Sequence, residues 1–183
     1  MPAHGLARAG QEPGADAVAA LVASAAPYAT ISIDPNVRPS LAGRDAYLAR
    51  LPAHADLLKL SADDLEFLLP GVATETACDG WHDAGVRLVV VTRGAAGALV
   101  SLDGARVSVP GFAVTVADTV GAGDAFTAGL LHHLGELGLL GGRLDALDLA
   151  TAEAAATFAA KVAALTCEVA GADPPWGPVT DLP

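Results

Sequence analysis

Positive charge is scarce in this chain: ten Lys and Arg stand against 21 Asp and Glu, for a formal net charge of −11. Nucleic acid and anionic membrane surfaces are thereby excluded as general partners, because each needs a basic patch to attract phosphate. A single phosphate group is not excluded, since backbone N–H groups can hold one without any basic side chain. Cysteine is nearly absent. Cys78 and Cys167 match no zinc spacing and form no disulfide framework, so two buried thiols in a reducing compartment are expected. The aromatic content is 4%, and Trp81 and Trp176 read as packing residues rather than base-stacking platforms. No apolar run reaches the roughly 18–20 residues of a membrane span, and "MPAHGLARAGQEPG" has no apolar core of a signal peptide. The expectation is a soluble, cytoplasmic protein with no membrane partner.

What is present is ample core material, 52% hydrophobic residues over 183 positions, enough for one domain. Residues 15–26 ("ADAVAALVASAA") are strong helix formers, and 28–33 ("YATISI") is β-rich and runs into the turn-forming "DPN". The alternation continues with helix over 44–51, strand over 56–61, helix over 62–69, helix over 74–85 and a fully apolar strand over 86–92. That rhythm predicts a parallel sheet covered by helices. It then breaks: "ALVSL" and "RVSVP" flank Asp103-Gly104, a dipeptide suited to a tight hairpin. A further strand is predicted over 112–117 ("FAVTVA"), followed by helices over 123–134 and 146–166. The sheet is thin for an α/β enzyme, and no strand pattern precedes residue 15.

The stretch "DTVGAGDAF" (118–126) sets Gly121, Ala122 and Gly123 between two carboxylates at the start of a helical pattern. A helix beginning near Gly123 has N–H groups without intrahelical partners at the positive end of its dipole. Small residues there let an anion approach the backbone, and Asp124 in the first turn can take a proton from a hydroxyl beside it. Together these features describe phosphoryl transfer. The alternative is that Asp118 and Asp124 merely favour the helix start and the glycines make a turn. Competing phosphate motifs fail: there is no G-x-x-x-x-G-K-[ST], and Phe126 stands where a dinucleotide fingerprint needs its third glycine.

Residues 118–124 resemble the D-T-x-G-A-G-D signature of the ribokinase-like (PfkB) carbohydrate kinases. Other segments agree in order. "DPNVRP" (34–39) is similar to the D-x-N-x-R stretch of the fructokinase and ketodeoxygluconate kinase branch, and "LLKLSADDLEFL" (57–68) to the segment carrying N-x-x-E. "VVVTRGAAGALV" (89–100) is similar to the T-x-G-x-x-G strand and turn, and "VAGADPP" (169–175) to the close of the C-terminal nucleotide loop. The resemblance spans about Gly5 to Pro175. It implies a ribokinase-like three-layer α/β/α fold with a mostly parallel sheet and an antiparallel hairpin.

The resemblance also implies site roles. Asp124 would be the catalytic base, with Gly121, Ala122 and Gly123 as the anion hole. Thr92, Gly94, Gly97, Lys59, Thr119 and Gly171 would meet the nucleotide; Asp34, Asn36 and Arg38, with Asp124, would meet the sugar. ATP and Mg2+ are the implied cofactors, with K+ near Asp118. Each match has a plainer reading: Thr92, Gly94 and Gly97 as a strand end and turn, Asp34, Asn36 and Arg38 as turn formers, Lys59 as a snorkelling strand-end residue, and Asp118 as a cap. Ser61 and Asp64 replace the family's N-x-x-E pair with shorter reach toward a metal. Ala160 and Lys161 stand where many members carry Asn. His132, His133 and Glu136 suggest no metal site, because adjacent helical residues diverge by about 100°.

The match begins in the middle of the family's sequence, so 1–183 is expected to be the C-terminal part of such a kinase domain, without the β-lid and the sugar-binding Asp of the first portion. An unpaired sheet edge would then invite homodimerisation or other association. Two classes of function stand: an ATP-dependent sugar kinase, most like fructokinase, with ribose or 2-keto-3-deoxygluconate as other acceptors, and a non-catalytic nucleotide-binding remnant.

Overall fold

The computed structural model describes residues 13–49 and 54–176. In chain order these form α1 (Pro13–Ala25), β1 (Ser32–Ile33), α2 (Arg44–Leu48), β2 (Leu57–Ser61), α3 (Ala62–Leu68), α4 (Thr74–Asp83), β3 (Leu88–Thr92), β4 (Ala98–Leu102), β5 (Ala105–Val109), α5 (Ala122–Glu136) and α6 (Leu149–Thr166). The strands lie side by side in chain order. β1, β2 and β3 are parallel, while β4 and β5 run antiparallel to their neighbours. The predicted hairpin is present, with Asp103 at φ 46° and Gly104 at φ 90°, the positive angles that a two-residue turn matching strand twist requires.

Strand periodicity divides the core into two layers. Leu57, Leu88, Val90, Val100 and Val109 face α5 and α6; Leu58, Leu60, Val89, Val91 and Leu99 face α3 and α4, meeting Leu65, Leu68, Cys78 and Trp81. Because both faces are covered, β3 is apolar without alternation up to Thr92 and β2 is so apart from Lys59 and the terminal Ser61, and each fully buried Leu or Val contributes on the order of 1.5–3 kcal/mol. The result is the expected three-layer α/β/α arrangement. No helix among the described residues is long and apolar enough to cross a membrane.

Local chemistry sets the helix boundaries. Ser61 caps α3: its hydroxyl accepts the Asp64 N–H at 3.0 Å and the Asp64 carboxylate accepts the Ser61 N–H at 3.0 Å, a reciprocal capping box. Asp148 caps α6 by accepting the Thr151 N–H at 2.7 Å. Against α5, the alanine-rich face of α6 allows close contact: a Cβ on Gly129 would lie 3.1 Å from the Ala159 Cα.

The structure departs from expectation in four places. Residues 112–117 form no strand; Phe112 packs against the core cluster to which α6 contributes its alanines, and the Ala117 N–H donates to the Cys167 carbonyl at 2.8 Å. The apolar alternation there marks a segment packed on a helix, not a ladder. The strand over 28–33 shrinks to Ser32–Ile33: the Tyr28 and Ala29 N–H groups turn back to the Ala25 carbonyl at the end of α1, and the Ile31 N–H donates to Asp56 Oδ2 at 2.8 Å. Trp176 is 92% exposed and donates to Asp173 Oδ1 at 3.0 Å, so only Trp81 packs. Of the two free thiols, Cys78 is buried and Cys167 only partly so.

Candidate active site

The predicted residues converge on the C-terminal ends of the parallel strands, where open α/β sheets place their ligands. Asp34 follows β1. Ser61 and Thr92 end β2 and β3 in register with each other, and the Thr92 hydroxyl lies 3.4 Å from the Leu60 carbonyl. The start of α5 reaches the same edge.

That helix start differs from the capped starts of α3 and α6. Gly121, at φ 80° and ψ −7°, is its N-cap and supplies no side chain, and no side-chain cap replaces it. The Ala122 N–H turns back to the Thr119 carbonyl at 3.3 Å. The N–H groups of Gly123 and Asp124 meet no acceptor among the described residues. Uncapped donors at the positive end of a 15-residue helix are a receptor for an anion. The Asp124 side chain is exposed in the first turn, beside a cavity of about 280 Å³ that Ala125, Ala128, Val162, Thr166, Ala172 and Pro174 also line.

The missing side chains have packing reasons as well. A Cβ on Gly121 would come within 2.6 Å of the Ala172 Cβ, and one on Gly123 within 3.1 Å of Lys59 Nζ. Asp118 does not cap α5; its Oδ1 accepts the Val120 N–H at 3.1 Å and its Oδ2 the Gly171 N–H at 2.9 Å. Those backbone donors hold the Asp118 carboxyl below the usual carboxylate range. The carboxylate thus ties the loop entering α5 to the loop leaving α6, and the two loops border the cavity.

Lys59 does not snorkel. It is 4% exposed, with its ammonium 2.8 Å from Asp34 Oδ2. Asp34 Oδ1 accepts the Asn36 N–H at 3.1 Å, and Asn36 takes φ 39°, the turn geometry that a plain reading anticipates. Arg38 folds back, donating to the Val37 carbonyl at 2.9 Å. Asp64 is also engaged: Oδ1 accepts the Val37 N–H at 3.0 Å, and Oδ2 accepts from both the Ser61 N–H and hydroxyl, the latter at 2.7 Å. Among the described residues no three His, Cys, Asp or Glu side chains gather as a metal site. The donor set of Ser61, Asp64 and Asp118 therefore does not fit a divalent cation held by protein groups alone.

Gly94 and Gly97 flank a single 3-10 turn after β3. A Cβ on Gly97 would meet the Val109 carbonyl oxygen at 2.0 Å, and one on Gly111 the Ala95 carbonyl at 2.2 Å. Two backbones cross here with no room for a side chain.

One site residue was missed from the sequence. The Thr127 hydroxyl lies 3.1 Å from the Gly123 carbonyl and 3.4 Å from Asp34 Oδ2, joining α5 to the Asp34–Lys59 pair. Its spacing of four from Gly123 was the available signal, because it puts both residues on one helix face.

The profile of the pfkB family of carbohydrate kinases matches residues 5–177. The chain belongs to the pfkB family. Among curated pfkB-type kinases, a fructokinase of Rhizobium leguminosarum bv. trifolii is 43% identical over 109 residues, 57% of this chain and 33% of that protein. Among solved structures, a double-mutant fructokinase from Vibrio cholerae O395 in fructose-, ADP- and potassium-bound form superposes with a TM-score of 0.74 at 30% identity, covering 88% of this chain and 52% of that one. The aminoimidazole riboside kinase of Salmonella enterica, complexed with aminoimidazole riboside and an ATP analogue, gives 0.64 at 30% identity over 84% of this chain and 49% of that one. The fold is ribokinase-like, and the chain spans between a third and about half the length of these pfkB relatives.

Proposed function

We propose that this chain carries the phosphoryl-transfer apparatus of an ATP-dependent sugar kinase, with fructose as the favoured acceptor. The observation that supports it best is the uncapped start of α5, which presents two N–H groups without acceptors next to the exposed carboxylate of Asp124. In this reading the adenine and ribose of ATP occupy the mostly apolar cavity between α5, α6 and the 172–174 loop. That places the phosphates toward Gly121–Asp124. The sugar hydroxyl loses its proton to Asp124 as its oxygen attacks the γ-phosphorus; the new P–O bond forms while the bond to the β,γ-bridging oxygen breaks, and ADP leaves with that electron pair. The Gly123 and Asp124 N–H groups offset the charge on the transferred group. Magnesium, when present, would arrive with the nucleotide's phosphates, since Ser61, Asp64 and Asp118 make no site for it alone. Fructose is favoured because curated fructokinases of bacteria and plants are among the similar proteins.

The test is transfer of labelled phosphate from Mg·ATP to fructose, ribose and 2-keto-3-deoxygluconate, with Asp124→Asn beside the parent. Loss of a positioned base should lower turnover by about 10²–10⁴-fold. A variant as active as the parent would refute the role of Asp124. Nucleotide binding without transfer to any sugar would favour the non-catalytic reading.

A further inference from the structure

We infer that Trp176 is the aromatic cover of the nucleobase, a free indole two residues beyond the lip of the cavity that closes on the base of a bound nucleotide. The inference rests on the cavity proposed for the nucleotide above and names a side chain that would complete it. Trp176 is 92% exposed, more than any other large hydrophobic residue described. Scattered exposed apolar side chains are ordinary, but an indole carries one of the largest apolar areas of any side chain. Trp81, the only other tryptophan, is 6% exposed in the core.

The loop holds the ring ready. Ala172 and Pro174 line the cavity, and Trp176 follows within about 7 Å of chain. Its stem is stiff, since Pro174 and Pro175 fix two successive φ angles, and the base of the stem is anchored where the Gly171 N–H donates to Asp118 Oδ2 at 2.9 Å. The indole Nε1–H donates to Asp173 Oδ1 at 3.0 Å. That bond runs through the ring edge and leaves both faces free to stack. The cavity lacks what the indole supplies. Its helical walls are Ala125, Ala128 and Val162, and the Thr166 hydroxyl beside them is spent on the Val162 carbonyl at 2.9 Å. No aromatic ring lines it among the described residues. Small aliphatic walls accept one face of a planar base, and a stacked ring takes the other from water; such stacking suits any base, because every base has a π-face.

The experiment compares the full chain with Trp176→Ala and Trp176→Phe. Calorimetry would measure binding of magnesium-loaded ADP, which carries a base, and of magnesium-loaded tripolyphosphate, which carries none. Acrylamide quenching of intrinsic fluorescence would be followed with and without ADP; with Trp81 buried, the quenchable signal is that of Trp176. The expected result is affinity for ADP about five- to 100-fold lower in Trp176→Ala and largely recovered in Trp176→Phe, which keeps a stacking face. Tripolyphosphate should bind all three chains alike, and ADP should shield the parent's fluorescence from acrylamide. Unchanged ADP affinity in Trp176→Ala, or quenching that ADP does not alter in a parent that binds it, would overturn the inference. An equal loss for ADP and tripolyphosphate would overturn it too, because that is what a merely structural role in the loop predicts. A parent that binds tripolyphosphate but not ADP refutes the inference and leaves the phosphate receptor standing. A parent that binds neither refutes the kinase reading and this inference with it.

Discussion

At the scale of single residues, the glycines after β3 have unlike jobs despite lying three positions apart. Gly97 combines φ 84° with a Val109 carbonyl oxygen 2.0 Å from where a Cβ would stand, whereas Gly94 has φ 54° and open space. Gly97→Ala should therefore cost about 3 kcal/mol and Gly94→Ala about 1 kcal/mol, read as shifts in urea midpoint at constant slope. Equal costs would mean that the crossing with Gly111 relaxes. The family pattern assigns both glycines to the nucleotide, and close backbone approach to a ligand or to another strand leaves the same trace in a sequence. A similar ambiguity covered Asp64. Its place three residues after Ser61 fits a water-ordering pair and a capping box alike, and the hydrogen bonds to Ser61 and Val37 show the second.

At the scale of elements, periodicity made most of the architecture legible. β3 was readable as an unbroken apolar run, β2 from the leucines around Lys59, the hairpin from Asp103-Gly104, and α6 from its alanines. Residues 112–117 misled because an extended segment packed on a helix alternates like a strand, and pairing is decided by a neighbour far away in sequence. β1 was overdrawn because Tyr28 and Ala29 turn back onto Ala25 and the Ile31 N–H goes to the Asp56 carboxylate, 25 residues distant. The contact between α5 and α6 depends on small residues. Ala159 is fully buried with its Cα 3.1 Å from the place of a Gly129 Cβ, so Ala159→Leu should destabilise by about 1–3 kcal/mol through overpacking. Because these helices frame the cavity proposed for the nucleotide, the proposed affinity should fall with stability; a stable Leu variant with intact binding would show that the two helices can part without deforming it.

At the scale of the whole molecule, the two rims of the sheet are unequal. β5 and β4 are backed by α6, while β1 is two residues long, with no partner on its outer side among the described residues. α1 exposes Val18 at 61% and Leu21 at 66%. Self-association is the expected result, visible in sedimentation as a mass that rises with concentration and falls in Leu21→Glu; a monomer at every concentration would contradict it. Stability should also weaken in acid. Hydrogen bonds from Arg87, from the Val120 and Gly171 N–H groups and from Thr151 hold Asp103, Asp118 and Asp148 below the ordinary carboxylate range. Each folded state binds fewer protons than the unfolded chain, so this stabilisation is complete above about pH 4 and is lost as pH falls through the folded values. Asp148→Asn, which keeps an acceptor for Thr151 but cannot titrate, should flatten the acid limb of a pH series of urea melts. An unchanged limb would assign the acid sensitivity elsewhere.

The side-by-side strand order bears on the birth of the protein as well. Each strand pairs with one made just before it, so a chain leaving the ribosome can extend its sheet in the order of synthesis without waiting for distant partners. The Asp34–Lys59 pair spans only 25 residues, but the Thr127 contact that locks it against α5 spans 93. The scaffold can therefore form early, and the bare start of α5 meets the Asp34–Lys59 pair only when the last two helices dock. A nascent chain stalled after β5 would hold a charged pocket floor with no helix above it, and ligand affinity would arise as a late, single event in synthesis.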